Sequence, residues 1–208
     1  MKFENTEVWG FEHALRGMRN PMESWDKSDS YYGNNEIGLE SYVIGENDMK
    51  LMKTLIKAGP EHRKFLRQIF ISVDITAPLY WWKEFDTYKV GTVADSCSTM
   101  HKLASTPITM DCFEMGDYCG FFETPWKNLI ALLEQCRKEY NETKDKRYWK
   151  ELIRLLPESW LQKRTVTMSY ENVANMYSQR MNHKLTEWSK DFIQWADNLP
   201  YFKELFTV

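Results

Sequence analysis

From Ile69 to Thr76 the chain alternates, with Ile69, Ile71, Val73 and Ile75 at every second position and Phe70, Ser72, Asp74 and Thr76 between them. Successive side chains of an extended strand point to opposite faces. β-Branched residues at period two therefore predict a strand with one face in the core. Ala77-Pro78 ends the run, and a proline suits the first turn of a helix, where its missing N–H would have had no partner. A helix is expected from there through Trp82 and Phe85, so a strand feeds directly into a helix.

The same signals mark out the rest of the chain. Asn47 or Asp48 can cap a helix whose apolar residues Met49, Met52, Leu55 and Ile56 fall at helical spacing, and Gly59-Pro60 stops it. Thr124-Pro125 reads as a cap followed by proline at the first helical position, with Leu129, Leu132, Leu133 and Cys136 on one face. A further helix is expected from Asp145 to Leu156, ended by Pro157, and a last one from about Ser169, with a break, to Asn198-Leu199-Pro200. Residues 20–45 are rich in Ser, Asn, Gly, Tyr and Asp without apolar periodicity and are expected to form a long loop or lid. Residues 91–120 are expected to be irregular. The expected fold class is mixed α+β (α/β), helix-rich with one central sheet. A single domain over 1–208 is expected, for which 43% apolar content supplies an ample core.

Charge and cysteine content narrow the function classes. With 27 Lys+Arg against 30 Asp+Glu, a net charge of -3 and no basic stripe, polymeric nucleic acid is not an expected partner, although a local basic cluster can still hold one small phosphate. No run approaches the roughly 18 apolar residues of a membrane span. Acidic residues within Met1–Gly10 are unlike a signal peptide, so the chain is expected in the cytoplasm with no membrane partner. Cys97, Cys112, Cys119 and Cys136 lack CxxC spacing and read as free thiols. The 9 Trp, 11 Tyr and 11 Phe favour an aromatic core and an oligomer interface.

Two segments can carry chemistry. Along the last helix Val173, Met176 and Tyr177 form a buried stripe, which steps of three or four residues continue to Arg180, His183 and Glu187. A charge on a core-facing stripe is costly unless paired. This face therefore either closes on itself, as an Arg180–Glu187 or His183–Glu187 network, or meets an anionic ligand. The second segment, Asp86 to His101, gathers Lys89, Asp95, Cys97, His101 and several hydroxyls. Such a composition can hold a polar ligand or cap its own backbone. No nucleophile elbow, Walker lysine loop, GxGxxG or HExxH occurs. Cys97, with His101 four residues on, reads as a small apolar thiol rather than a nucleophile.

These segments resemble the flavin-dependent thymidylate synthases. The likeness runs from about Leu51 to Leu103 and from Ser169 to Glu187, with a vaguer match at Ala14-Leu15-Arg16. Gly59-Pro60-Glu61-His62, the strand, Ala77-Pro78 and Tyr80-Trp81-Trp82 follow the family's order. At the family's R-H-R-x7-S signature stand Thr87-Tyr88-Lys89 and Cys97, with Ser98 beside it and Asp95 in the place of a Glu. The family's Asn-x4-Arg appears as Asn175 and Arg180, followed by His183 and Glu187 after a one-residue deletion, while Ser169 and Glu171 replace an Asn and an Arg.

The resemblance implies a homotetramer in which FAD, dUMP and folate meet at subunit interfaces. It implies methylation of dUMP to dTMP, or of a related pyrimidine nucleotide at C5. Methylenetetrahydrofolate supplies the carbon and NADPH reduces the FAD, with no enzyme nucleophile and no metal. Substrate binding would fall to Arg180, Glu84, Asp95, Cys97, Ser98 and Thr99, and cofactor binding to His62, Thr87, Tyr88, Lys89, Asn175 and His183. Since Lys89 alone keeps a positive charge from R-H-R, the alternative is a catalytically silent relative that binds a nucleotide or acts as an oligomeric interaction protein.

Overall fold

The computed structural model describes residues 1–34, 40–116 and 119–206. In chain order its elements are β1 (Lys2–Trp9), α1 (Phe11–Arg19), β2 (Tyr31–Asn34), β3 (Glu40–Val43), α2 (Glu46–Lys57), β4 (Phe70–Pro78), α3 (Leu79–Phe85) and β5 (Val93–Ser96). There follow α4 (Thr99–Lys102), α5 (Glu123–Thr143), α6 (Lys146–Arg154), β6 (Leu161–Ser169), α7 (Tyr170–Arg180), a π-helical turn (Glu187–Phe192), α8 (Ile193–Asp197) and α9 (Phe202–Phe206). A central antiparallel sheet has the strand order β1-β4-β6-β5, and β2 pairs with β3 as a separate antiparallel hairpin. No described helix is long and apolar enough to cross a membrane, and all four cysteines are free thiols.

β4 follows its period-two pattern. Ile69, Ile71, Val73 and Ile75 are fully buried while the residues between them stay half-buried, and each such aliphatic side chain contributes about 1.5–3 kcal/mol. Pro78 closes the strand with extended backbone, so α3 begins one residue later than expected. The Leu79 and Tyr80 amides donate to the carbonyl oxygens of Trp160 and Glu158, which satisfies donors that every helix start leaves open. α6 covers Lys146–Arg154 of the expected Asp145–Leu156, with the Asp145 side chain capping it by accepting from the Arg147 amide.

Several expectations are corrected. α2 starts at Glu46, not at an Asn47 or Asp48 cap. Asp29 supplies the cap from outside the helix, accepting from the amides of Asn47 at 2.9 Å and Asp48 at 3.1 Å. α5 starts at Glu123, with Thr124 and Pro125 already inside its first turn. On that helix Leu133 and Cys136 are buried and Leu129 packs beside them, but Leu132 is 44% exposed. Its position is about 100° around the helix from Leu133, off the apolar face. Residues 20–45 contain two single turns of 3-10 helix and the β2–β3 hairpin, and the part of this stretch at 35–39 lies outside the described residues. Residues 91–120 include β5 and α4. β1, α1 and β6 had no counterpart in the sequence reading.

The chain packs as two compact units. The first holds Met1–Glu4, Asp74–Lys89 and Ala94–Thr165. Its core joins Leu103, Ile108, Phe113, Leu133 and Leu152, with Trp126 and Trp160 packed against them. A hydrogen bond from Arg137, reinforced by the Ile108 amide, holds the Glu134 carboxyl down at about 2 despite partial burial.

The second unit holds Asn5–Val73, Val90–Val93 and Val166–Val208. At its centre Asp48 is fully buried. One carboxylate oxygen accepts from Arg19 Nε at 2.7 Å, and the other accepts from the hydroxyls of Ser28 and Ser30, each at 2.6 Å. Arg19 also donates to the carbonyl oxygens of Ser24 and Lys27. Burial acts to raise the Asp48 carboxyl, but the hydrogen bonds from Ser28, Ser30 and Arg19 outweigh it and hold the group below its ordinary value.

A carboxyl depressed in the folded state stabilises fully above its unfolded value and loses that contribution as pH falls through the folded one. Asp48→Asn should therefore cost about 3 kcal/mol near pH 7, the scale for stranding a buried partner, and the gap to wild type should narrow near pH 3. Urea denaturation at both pH values checks this. A gap that stays the same in acid means that Asp48 carries no pH-dependent stability.

Candidate functional site

α7 is built to present polar groups from a fixed start. Ser169 caps it, its hydroxyl accepting from the Asn172 amide while the Asn172 side chain accepts from the Ser169 amide, a reciprocal capping box. Asn172 Nδ2 also donates to the Val90 carbonyl oxygen at 2.7 Å. Gly91 follows at φ 79°, a left-handed conformation that favours glycine. Within the first turn of α7, Glu171 is buried. Its Oε1 accepts from Arg63 Nε at 3.2 Å and Nη2 at 3.0 Å. The same Nη2 donates to Asn175 Oδ1 at 3.2 Å, while Glu171 Oε2 is buried with no donor among the described residues.

The C-terminal end of α7 departs from the expected stripe. The helix stops at Arg180, so steps of three and four no longer place His183 and Glu187 on its face. His183 lies in the connection, its Nδ1 accepting from the Leu185 amide at 3.2 Å, and Glu187 opens the π-helical turn, where it is buried. The Arg180 guanidinium stands 5.0 Å from the centre of the fully buried Trp188 ring, a cation–π contact that orients the side chain. Tyr177, one turn before, donates to Asp197 Oδ1 at 2.8 Å, and its phenol is pushed up to about 12 by burial and by that carboxylate.

In the other unit, β6 organises the loop between α3 and α4. Gln162 Nε2 donates to the Cys97 carbonyl oxygen at 3.0 Å and the Thr99 hydroxyl at 3.3 Å, and the Cys97 amide donates to the Lys163 carbonyl oxygen. Arg164 lies 4.2 Å from the centre of the Trp82 ring and donates to Asp86 Oδ1 at 2.9 Å. The Ser98 hydroxyl is 2.7 Å from His101 Nδ1 and also caps α4. The Thr87 hydroxyl donates to the Glu84 carbonyl oxygen at 2.7 Å.

The residues singled out from sequence thus fall in two groups. His62, Asn175, Arg180 and His183 belong to the second unit, where Asn175 joins Arg63 and Glu171 and the His62 side chain is exposed. Glu84, Thr87, Tyr88, Lys89, Asp95, Cys97, Ser98 and Thr99 belong to the first. Gln162 ties Cys97 and Thr99 together there, and Asp95 stands exposed on β5. Sequence reading missed Arg63, Gln162 and Arg164. No local pattern marks them, since their partners lie 65 to 112 residues away for Arg63–Asn175 and Gln162–Cys97.

Neither a family model nor a curated protein matches this sequence. Solved structures do match in fold. A flavin-dependent thymidylate synthase ThyX from Helicobacter pylori, complexed with FAD and dUMP, aligns with a TM-score of 0.74 at 16% identity, covering 100% of this chain and 98% of that one. A second structure of the Helicobacter pylori enzyme with FAD and dUMP gives 0.75 at 16% identity with the same coverage. A UMP/dUMP methylase PolB from Streptomyces cacaoi, bound with 5-Br dUMP, gives 0.66 at 15% identity over 99% of this chain and 94% of that one. The fold is that of the flavin-dependent thymidylate synthases.

The Arg63–Glu171 pair yields a stability prediction of its own. Arg63→Met strands a buried carboxylate and should cost about 3 kcal/mol, whereas adding Glu171→Gln should recover most of the loss, because removing both charges of a buried pair is far cheaper than removing one. A double-mutant cycle by chemical denaturation measures the coupling. Additive effects would show that the two side chains do not depend on each other.

Proposed function

We propose that this chain is a nucleotide-modifying protein of the flavin-dependent thymidylate synthase type, which binds dUMP or a closely related pyrimidine nucleotide and methylates it at C5. The observation that carries the reading is α7: within a fold matched over its whole length, one helix bears both Asn175 and Arg180 at the family's Asn-x4-Arg spacing. Arg180 offers a planar fork of donors suited to a phosphate or a uracil edge. By the same resemblance Glu84, Asp95, Cys97, Ser98 and Thr99 are further substrate-binding residues, and they belong to the first unit. The active form is a homo-oligomer, in keeping with the exposed rings of Phe121, Trp25 and Tyr31.

FAD is the proposed cofactor, with methylenetetrahydrofolate and NADPH as co-substrates. When bound, the flavin passes a hydride. His62, Lys89, Asn175 and His183 have the donor chemistry to hold it, together with Thr87 and Tyr88. The first turn of α7 fits a flavin diphosphate poorly, because the buried Glu171 carboxylate stands where the resemblance expects an arginine and Arg63 is engaged in neutralising it. That observation favours a second reading, a silent relative that keeps nucleotide binding without turnover. A yellow protein with a flavin absorption band supports the enzyme, and a colourless one that binds dUMP supports the silent relative.

Two binding predictions follow from the residues. Flavin affinity should rise by about tenfold or more in the double variant Thr87→Arg/Tyr88→His, since each charge-assisted donor is worth about 1.5–3 kcal/mol. Tight wild-type binding with no gain in the variant removes the proposed role of this loop. Arg180→Ala should weaken dUMP binding by about 2 kcal/mol or more in calorimetric titration, with little change in melting temperature. Unchanged dUMP affinity with a melting point lowered by many degrees reduces Arg180 to a structural partner of Trp188.

A further inference from the structure

A cavity of about 750 Å³ lies in the second unit. Its walls are aromatic: Trp9, Tyr32, Tyr42 and Tyr201 line it, and Glu12 and Glu204 stand among them. Tyr32 and Tyr42 face each other across the β2–β3 hairpin, edge to face with centroids 5.0 Å apart. The Tyr32 hydroxyl donates to Glu12 Oε2 at 2.9 Å. Tyr201 adopts φ 59°, a left-handed conformation that bulky residues rarely take, and there its hydroxyl donates to the Tyr42 carbonyl oxygen and accepts from the Ile44 amide. Such strain persists only where the surroundings impose it, and it clusters at ligand sites.

The charge of the cavity is one-sided. Among its described lining residues are two carboxylates and no lysine or arginine, and the one histidine, His13, has its Nε2 at 3.1 Å from the Gln68 carbonyl oxygen. The Tyr42 phenol is pushed above its usual range, first by burial and then by the Asp48 and Glu12 carboxylates. Trp9 is 43% exposed and Tyr32 56% exposed, which leaves apolar ring surface open. Ring faces and carboxylates attract cations together, whereas the same carboxylates repel a nucleotide phosphate.

We propose that this cavity binds a small organic cation, an alkylated ammonium head seated among the Trp9, Tyr32, Tyr42 and Tyr201 rings and neutralised by Glu12 and Glu204. The site does not depend on the reading of α7. Calorimetric titration of the full chain with choline, and separately with its uncharged carbon isostere 3,3-dimethylbutan-1-ol, tests it. Saturable choline binding is expected, with the alcohol about tenfold weaker or silent, and with choline affinity falling about tenfold in Glu12→Gln and in Tyr32→Ala. Glu204→Gln provides a second surface carboxylate variant whose folding does not rest on the hairpin. Equal affinity for the two probes, no saturable choline binding, or full affinity in both carboxylate variants overturns the proposal.

Discussion

The Asp48 carboxylate is the interaction on which much of the second unit depends. A charge with no exposure must find its partners inside the protein, and Asp48 gathers them from two places: Arg19 at the end of α1, and Ser28 and Ser30 before the hairpin. Arg19 passes the constraint on through the carbonyl oxygens of Ser24 and Lys27. Asp29, between the two serines, caps α2 in return. A stretch with no apolar periodicity is thus fixed by polar contacts, and the hairpin that leaves it supplies Tyr32 and Tyr42 to the aromatic cavity.

This explains which parts of the fold were legible in the sequence. β4, α6 and the start of α7 are specified by neighbours along the chain: alternating isoleucines, an Asp145 cap, and a Ser169 cap answered by Asn172. Local physics is enough for these. α2 failed at its start because its cap comes from Asp29, about twenty residues upstream, which left Asp48 for the core. β6 alternates only over its second half, Thr165-Val166-Thr167-Met168, too short a run to stand out, because its first half holds Gln162, Lys163 and Arg164, each bound to a distant partner.

The candidate site was legible in the same uneven way. Arg180 lies on the stripe that Val173, Met176 and Tyr177 begin, but the stripe ends with it, since a period of 3.6 predicts nothing beyond the last helical residue. His183 and Glu187 sit where the connection and the π-helical turn put them. The resemblance marked Glu171 as a departure, but only the fold supplies its partner, Arg63, 108 residues away.

That exchange of partners bears on how the chain handles charge. An arginine in the first turn of α7 would add positive charge there. A glutamate there is favoured by the helix dipole, yet once buried it needs a cation, and Arg63 provides it. The pair leaves this turn nearly neutral. On α7 the positive charge then rests with Arg180, oriented over Trp188, and in the other unit with Lys89 in the loop that β6 fastens through Gln162. The hydroxyls of that loop are partly occupied, Thr87 by Glu84, Ser98 by His101 and Thr99 by Gln162. Any ligand that entered this loop would either accept this arrangement as it stands or displace internal hydrogen bonds. The first course costs less, because a preorganised donor set leaves little to be reordered on binding.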